Sequence, residues 1–332
     1  MATNPTDVAW LGHRLGVFVQ NTGGTTEVWC DRVQEADSSV NLPTEDYWEL
    51  GNLSKVGVTQ APAEYRFTMR TNLHSNELDS ILAGGTGSPV AQFTVGDMVA
   101  NTNVRANIVA RKIGDTNPSY EWQYEGNTIS ELTYEFVING ACTMACTLEG
   151  KTGTVYTSGS LTHTTWGTMN TVDPGGINGK DARIFFGGVA AGNREYRLQR
   201  FAIRVQFPVQ TVRELGNRSL VGKLADVPTV TLEFDILAAD QQPINELFTL
   251  SGTGYDLGQP ATKDVYIIVY DPTAAEAVTP IKYFKAENAI VTAGTPIRGQ
   301  VRALSTMRYT MTTQKATVAN SGTLIISPSS IA

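Results

Sequence analysis

The sequence predicts a mostly β fold (β+α): two tandem β-sandwich or barrel domains, each with one short helix packed on it. Three observations lead there. Stretches that alternate apolar and polar residues recur along the chain, a nine-residue segment appears twice almost unchanged, and a short amphipathic helical pattern follows it each time.

The alternating stretches are EYRFTMRTN, RANIVARK, SELTYEFVI, VTLEFDI, DVYIIVYD and KYFKAENAIV. They are rich in Val, Ile, Thr, Tyr and Phe, which suit a half-buried pleated surface, and Gly, Pro, Asn and Asp punctuate them. The repeat is ELGNLSKVG at 49–57 against ELGNRSLVG at 214–222, with seven of nine positions identical. Upstream, DRVQ at 31–34 faces IRVQ at 203–206. Downstream, Pro62 and Phe67 face Pro228 and Phe234, and NEL at 76–78 faces NEL at 245–247. Further on, WQYEGNTIS at 122–130 is matched by YFKAENAIV at 283–291. These matches place repeat units at roughly 13–155 and 183–327 and divide the chain into domain 1 over 1–157, a linker or excursion over 158–182, and domain 2 over 183–332.

The first helix is expected in HSNELDSILAG, where Leu78, Ile81 and Leu82 share a face, Ser75 or Asn76 caps the start and Gly84 ends it. The second is expected in PINELFTLSG, with Pro243 near the start, Ile244, Leu247, Phe248 and Leu250 on the apolar side, and Gly252 at the end.

With 332 residues, 41% hydrophobic and 17% charged, the chain belongs among folded globular proteins. Its net charge of −7 excludes an overall cationic surface for duplex binding. Residues 1–166 carry 9 basic and 18 acidic groups and residues 167–332 carry 16 and 14, so the halves differ in sign. Either two solvated surfaces differ by chance, or unlike halves attract when copies assemble.

Catalytic, cofactor and metal patterns are missing from the sequence. His13, His74 and His163 are far apart and form no HxH or HExxH, so each is expected at the surface. Gly150-Lys151-Thr152 lacks the P-loop glycine five residues earlier, where Ala145 stands. Cys30, Cys142 and Cys146 form no disulfide framework; Cys142 and Cys146, four apart on a strand, lie roughly 13 Å from each other and read as buried apolar thiols. The N-terminus carries no signal pattern and the longest apolar run is near VYIIVY, so no membrane insertion and assembly in a cytoplasm-like compartment are expected.

Two places are candidates for contact between subunits. Gly51 and Gly216 suit a tight turn, and in the same turns Glu49, Asn52, Glu214 and Asn217 are placed to reach a neighbour; a turn with good local chemistry is the competing reading. In NREYRLQRFAIRV, Arg200 and Arg204 fall on one strand face with Arg194 nearby, suited to acidic partners on a neighbour, with DNA binding as the alternative. The Gly/Thr/Ser-rich stretches at 83–96 and 150–180 are further candidates for contact with other copies on assembly.

The segments VQTVRELGNRSLVGKLADVPTVTLEFDI and NELF, with ELGNLSKVG and NELDSIL before them, resemble the two-domain type of major tail tube protein of tailed bacteriophages. That resemblance implies homotrimeric, pseudo-hexameric rings stacked into a tube through which viral DNA passes without specific contacts. It also implies a place in the virion tail and partners among the sheath, tape-measure, terminator and distal tail proteins. Two other readings stay open: a tail-tip or adaptor ring built on the same domain, and a β-sandwich that binds carbohydrate or a host surface, for which Trp10, Trp48 and Trp166 are the candidate contacts.

Overall fold

The protein was analysed as a computed structural model, which describes residues 15–21, 27–30, 32–48, 55–60, 62–73, 77–85, 92–111, 116–157, 160–163, 177–189, 194–195, 198–214, 220–237, 247–251, 254–272, 280–298, 306–313 and 324–327. The fold is mostly β, as the alternation predicts. In the first half run β1 (Leu15–Asn21), β2 (Glu27–Trp29), β3 (Val33–Asn41), β4 (Thr44–Trp48), β5 (Lys55–Gln60), β6 (Glu64–Asn72), α1 (Glu77–Leu82), β7 (Phe93–Thr94), α2 (Val95–Ala100), β8 (Val104–Ala110), β9 (Tyr120–Val137), β10 (Thr143–Gly150) and β11 (Thr152–Thr157). The second half has β12 (Ala182–Phe186), β13 (Arg194–Glu195), β14 (Leu198–Gln206), β15 (Val209–Val212), β16 (Gly222–Ala225), β17 (Thr229–Leu237), β18 (Phe248–Ser251), β19 (Gly254–Pro260), β20 (Lys263–Tyr270), β21 (Pro280–Arg298), β22 (Thr306–Thr313) and β23 (Leu324–Ser327).

Among the described residues the ladders of the first half recur in the second. β1 pairs with β2 and β8 as β12 pairs with β13 and β20. β3–β6–β10–β9 recurs as β14–β17–β22–β21, and β8–β9–β11 as β20–β21–β23. The hairpin β4–β5 recurs as β15–β16: Thr44↔Gln60 becomes Val209↔Ala225, each residue shifted by the 165 positions that separate Glu49 from Glu214. Bulges recur too. The extra residue between β9 and β10 is Ser130 and that between β21 and β22 is Thr292; their hydroxyls donate to the carbonyls of Thr147 and Thr310, both at 3.3 Å. The β8–β9 and β20–β21 bulges each contain a left-handed residue, Gly126 (φ 61°) and Asn288 (φ 51°).

Strand chemistry explains the layers. In β17 the residues Val230, Leu232, Phe234 and Ile236 are buried and alternate with Thr, Glu and Asp. β9 serves two layers. Its first part pairs with β8 and β11, and its second part with β10, so Phe67 on β6 comes to face Tyr124 on β9 with ring centroids 6.1 Å apart. The core does not stop at the boundary between halves: Phe136 lies 5.9 Å from Phe201, and Tyr134 lies 4.8 Å from Phe284.

The structure corrects several sequence readings. Ladder equivalence sets Glu35 against Arg200, so the DRVQ and IRVQ tetrapeptides, 172 residues apart, are not counterparts. Phe234 corresponds to Met69, two residues from Phe67 on the same face. Trp122 corresponds to Phe284, one residue later than the peptide match implies, because Gly126 and Asn288 must coincide at the bulge. α1 forms as expected: Gly84 adopts φ 88°, and the Gly85 N–H reaches the Ser80 carbonyl at 2.7 Å to close the helix end. A second helix, α2, was not expected; Thr94 and Asp97 cap it reciprocally. The expected helix over 243–252 lies outside the described residues except at 247–251: Leu247 is helical as expected, and Phe248–Ser251 is strand β18, paired with β19.

Candidate functional site

Two pairings join the halves and have no counterpart among the described residues: a short one between β23 and β7, Ile325↔Thr94 and Ile326↔Phe93, and a longer one. β14 of the second half adds to the outer edge of β9 in antiparallel register, from Arg200↔Val137 to Gln206↔Glu131. A seam of side chains seals this junction. Phe201, Val205 and Phe207 are buried, and the Phe207 N–H donates to the carbonyl of the bulged Ser130 at 2.9 Å. On the other face Arg200 Nε donates to Glu135 Oε1 at 2.8 Å, Arg70 stands 3.7 Å from the same carboxylate, and Arg204 lies 3.2 Å from Glu233. The hairpin β15–β16 then leans on the first half through Lys223–Glu149 at 2.9 Å and Arg213–Glu64 at 3.0 Å.

Arg200 and Arg204, expected to meet acidic residues of a neighbour, meet acidic partners within the chain. The carboxylates come from β9 and β17. Residues 49–54 and 215–219 lie outside the described residues, so Glu49, Gly51, Asn52, Gly216 and Asn217 cannot be placed. Glu214 is described and exposed. The paired strands β4–β5 and β15–β16 flank the two ELGN segments, so each lies between two strands, as read from the sequence.

The other halves of this junction are open. Among the described residues β3, which corresponds to β14, pairs only with β6. The last part of β21, which corresponds to the β14-binding part of β9, pairs with β22 on one edge and with no described strand on the other; Thr292, Ala293 and Gly294 there are exposed. Among the described residues the chain thus holds one completed junction of the β14–β9 kind and the two unmatched sides of a second.

Two buried polar clusters stand in the core, the first of them between the halves. Asp79 on α1 accepts hydrogen bonds from Tyr134 on β9 and from Lys282 on β21, and all three side chains are fully buried. The Lys282 ammonium lies 5.1 Å from the Tyr134 ring centroid and 5.5 Å from that of Phe284. Burial pulls Lys282 below the usual lysine range against the opposing pull of Asp79, and burial with the Asp79 charge pushes Tyr134 far up. The second cluster corrects the expectation that His163 is a surface residue. It is 6% exposed and stacks on Phe18 at 4.4 Å; its Nδ1 lies 2.8 Å from Glu121 and its Nε2 2.9 Å from Glu27. The backbone N–H groups of Thr162 and His163 also donate to Glu121, at 2.8 and 3.2 Å. Burial alone would raise Glu121, but His163 and Thr162 hold it down at about 2. Burial alone would lower His163, but the two glutamates raise it. His13 and His74 lie outside the described residues.

Cys30, Cys142 and Cys146 are buried thiols in no disulfide, as expected; burial pushes Cys142 and Cys146 up to about 12. Gly150-Lys151-Thr152 joins β10 to β11. The Gly/Thr/Ser stretches are partly built into the fold. Phe93 and Val95 are core residues, 160–163 is held by Glu121, and the Ile177 carbonyl accepts from Cys142 N–H at 2.8 Å. Residues 86–91 and 164–176, and the side chains of Trp10, Trp48 and Trp166, lie outside what is described. Among the described residues, no group of three or more His, Cys, Asp or Glu side chains is placed to hold a metal ion, and no helix is long and apolar enough to cross a membrane.

No known protein family model matches the chain, and no curated protein matches it. Among solved structures it is similar to a chain of the cryo-EM structure of the anti-feeding prophage (AFP) baseplate, 6-fold symmetrised. The identity is 11%, the TM-score is 0.33, and the match covers 47% of this chain and 98% of that one.

Proposed function

We propose that this protein is a structural subunit that polymerises into stacked rings, forming the tail tube of a bacteriophage and the conduit for its DNA. The division into domain 1 (1–157), a connecting segment (158–182) and domain 2 (183–332) belongs to the same reading. Each domain fills one of six equivalent places, so three chains close a ring.

One observation carries the proposal. The strand ladders repeat, the junction between halves is a β-strand addition, and the same two edges stand open at the far ends of the described sheet. Open strand edges are templates for pairing, and a head-to-tail interface that repeats by a fixed rotation closes into a ring. The net charge of −7 suits a channel that must let DNA slide, since each phosphate neutralised by a cationic wall would add affinity. Glu49, Gly51, Asn52, Glu214, Gly216 and Asn217 are then interface residues in the turns of two equivalent hairpins.

Sedimentation velocity over a series of protein and salt concentrations tests this reading. The protein should pass from monomer to ring-sized and larger particles as concentration rises. A constant monomer at every concentration and ionic strength contradicts it.

A further inference from the structure

Resting on the ring reading, we infer that the second junction forms between two copies of this chain, β3 of one adding to the open edge of β21 in the next. Its register copies β14 on β9, and the charges at the positions equivalent to Arg70, Glu135 and Arg200 are reversed.

The register follows from the two ladders. β3 residues correspond to β14 residues 165 positions later: Glu35 to Arg200, Val40 to Val205 and Asn41 to Gln206. Next to the shared bulge, β21 residues correspond to β9 residues 162 positions earlier, Ala293 to Glu131. The observed Gln206↔Glu131 pair therefore becomes Asn41 opposite Ala293. β21 carries one further extra residue between Thr295 and Arg298, after which Arg298 pairs with Thr306 as Glu135 pairs with Thr143. Thr306 and Thr143 are themselves equivalent, since they face Leu237 and Asn72 on β17 and β6. Arg298 thus takes the place of Glu135.

The charges now read as a code. The inner seam is Arg70, Glu135, Arg200: cation, anion, cation. The equivalent positions of the outer seam are Asp235, Arg298, Glu35: anion, cation, anion. Like charges across a strand pair repel, and unlike charges attract. A correct ring sets Glu35 beside Arg298. Pairing β3 with a β9-type edge would set Glu35 beside Glu135, and pairing β14 with a β21-type edge would set Arg200 beside Arg298. Both wrong arrangements carry a repulsive contact, so first and second halves must alternate. Arg308, which stands where the inner seam has Ala145, already binds Asp235 through two hydrogen bonds, at 2.6 and 2.7 Å, so the contact left to form at the outer seam is that of Arg298 with Glu35.

Burial points to the same pairing independently. Val205 and Phe207 are 0% and 2% exposed at the completed junction, while their counterparts Val40 and Leu42 are 51% and 55% exposed. Apolar side chains of this size on an open strand edge fit a surface that a second copy covers.

The test has two arms, both on the full chain. In the first, Glu35→Arg and Arg298→Glu are compared with wild type and with the double exchange by sedimentation velocity at low salt. Each single reversal should raise the concentration for half-assembly at least about tenfold, since like charges face each other across the seam. The double exchange should return it to within about threefold of wild type. Thermal melts confirm that each variant is folded. In the second arm, Asn41→Cys with Ala293→Cys should cross-link copies covalently under mild oxidation, and the off-register Ser39→Cys with Ala293→Cys should not. If wild type forms rings but the single reversals assemble normally, or the off-register cysteines cross-link equally well, this pairing is wrong while the ring reading stands. If wild type stays monomeric and neither cysteine pair links copies, both fall.

Discussion

Removing the Asp79 carboxylate should destabilise the whole molecule, because it strands a cation between the halves. Asp79 and Lys282 come from different halves, are fully buried, and share their site with the Tyr134 hydroxyl. Deleting one partner of such a pair costs about 3–5 kcal/mol, since the remaining charge has neither water nor counter-charge. If all 332 residues melt together, the unfolding entropy is about 0.7 kcal/mol per degree at the usual ~2.1 cal/mol/K per residue, so Asp79→Ala should lower Tm by about 4–7 °C. Replacing all three members with apolar groups of similar size (Asp79→Leu, Lys282→Met, Tyr134→Phe) removes the stranded charge and the orphaned hydroxyl together. That variant should melt within about 2 °C of wild type or above it. Differential scanning calorimetry reads both, and a single cooperative peak checks the shared core. The reasoning fails if Asp79→Ala shifts Tm by less than about 1 °C, or if the triple variant is as unstable as the single one.

The Glu121–His163 cluster should make the anchoring of residues 160–163 depend on pH. Glu121 is held below the usual carboxylate range, so its contribution is present above about pH 4.5 and is lost as pH falls toward 2; His163 is raised, so its contribution is complete below about pH 6.5 and is lost as pH rises through its elevated value. Amide exchange at Thr162 and His163, corrected for intrinsic rates, should be slowest between those limits and faster once pH rises through the elevated His163 value; a flat profile contradicts this. At the paired bulges, Gly126→Ala should cost about 1 kcal/mol or more, because a left-handed residue gains a Cβ 3.1 Å from the Lys151 Cβ, while Asn288→Gly should be close to neutral. Urea denaturation measures both, and equal effects would argue against equivalent bulges. Replacing 164–176 with Gly and Ser at the same length should leave Tm within about 2 °C but abolish long tubes, since the flanking 160–163 and 177–178 contacts remain; normal tubes would remove this segment from ring stacking.

Period-two alternation made six strands legible, β6, β8, β9, β17, β20 and β21, and the spacing between the two ELGN segments equals the ladder offset at the hairpins. Short identities were less reliable guides than ladders. DRVQ and IRVQ coincide by composition alone, and the Trp122 match slips by one because a bulge residue can be Gly or Asn with no other sequence trace. α2 was readable in principle, since Thr94-x-x-Asp97 is a capping box before an apolar turn. The buried clusters were not, because Asp79 and Lys282 lie 203 positions apart and Glu27 and His163 lie 136 apart, and only folding brings them together. The lengths of β9 and β21, 18 and 19 residues against a usual strand of about five or six, were the one visible trace of strands that serve two layers and a neighbour.

The account turns on whether the two halves occupy equivalent places around a closed circle. Class averages of end-on particles by electron microscopy address this directly. Six lobes around a central hole, identical in alternate positions, are what the repeated ladders and open edges predict. Discrete single chains at high concentration, or rings whose lobes cannot be divided into alternating pairs, would contradict it.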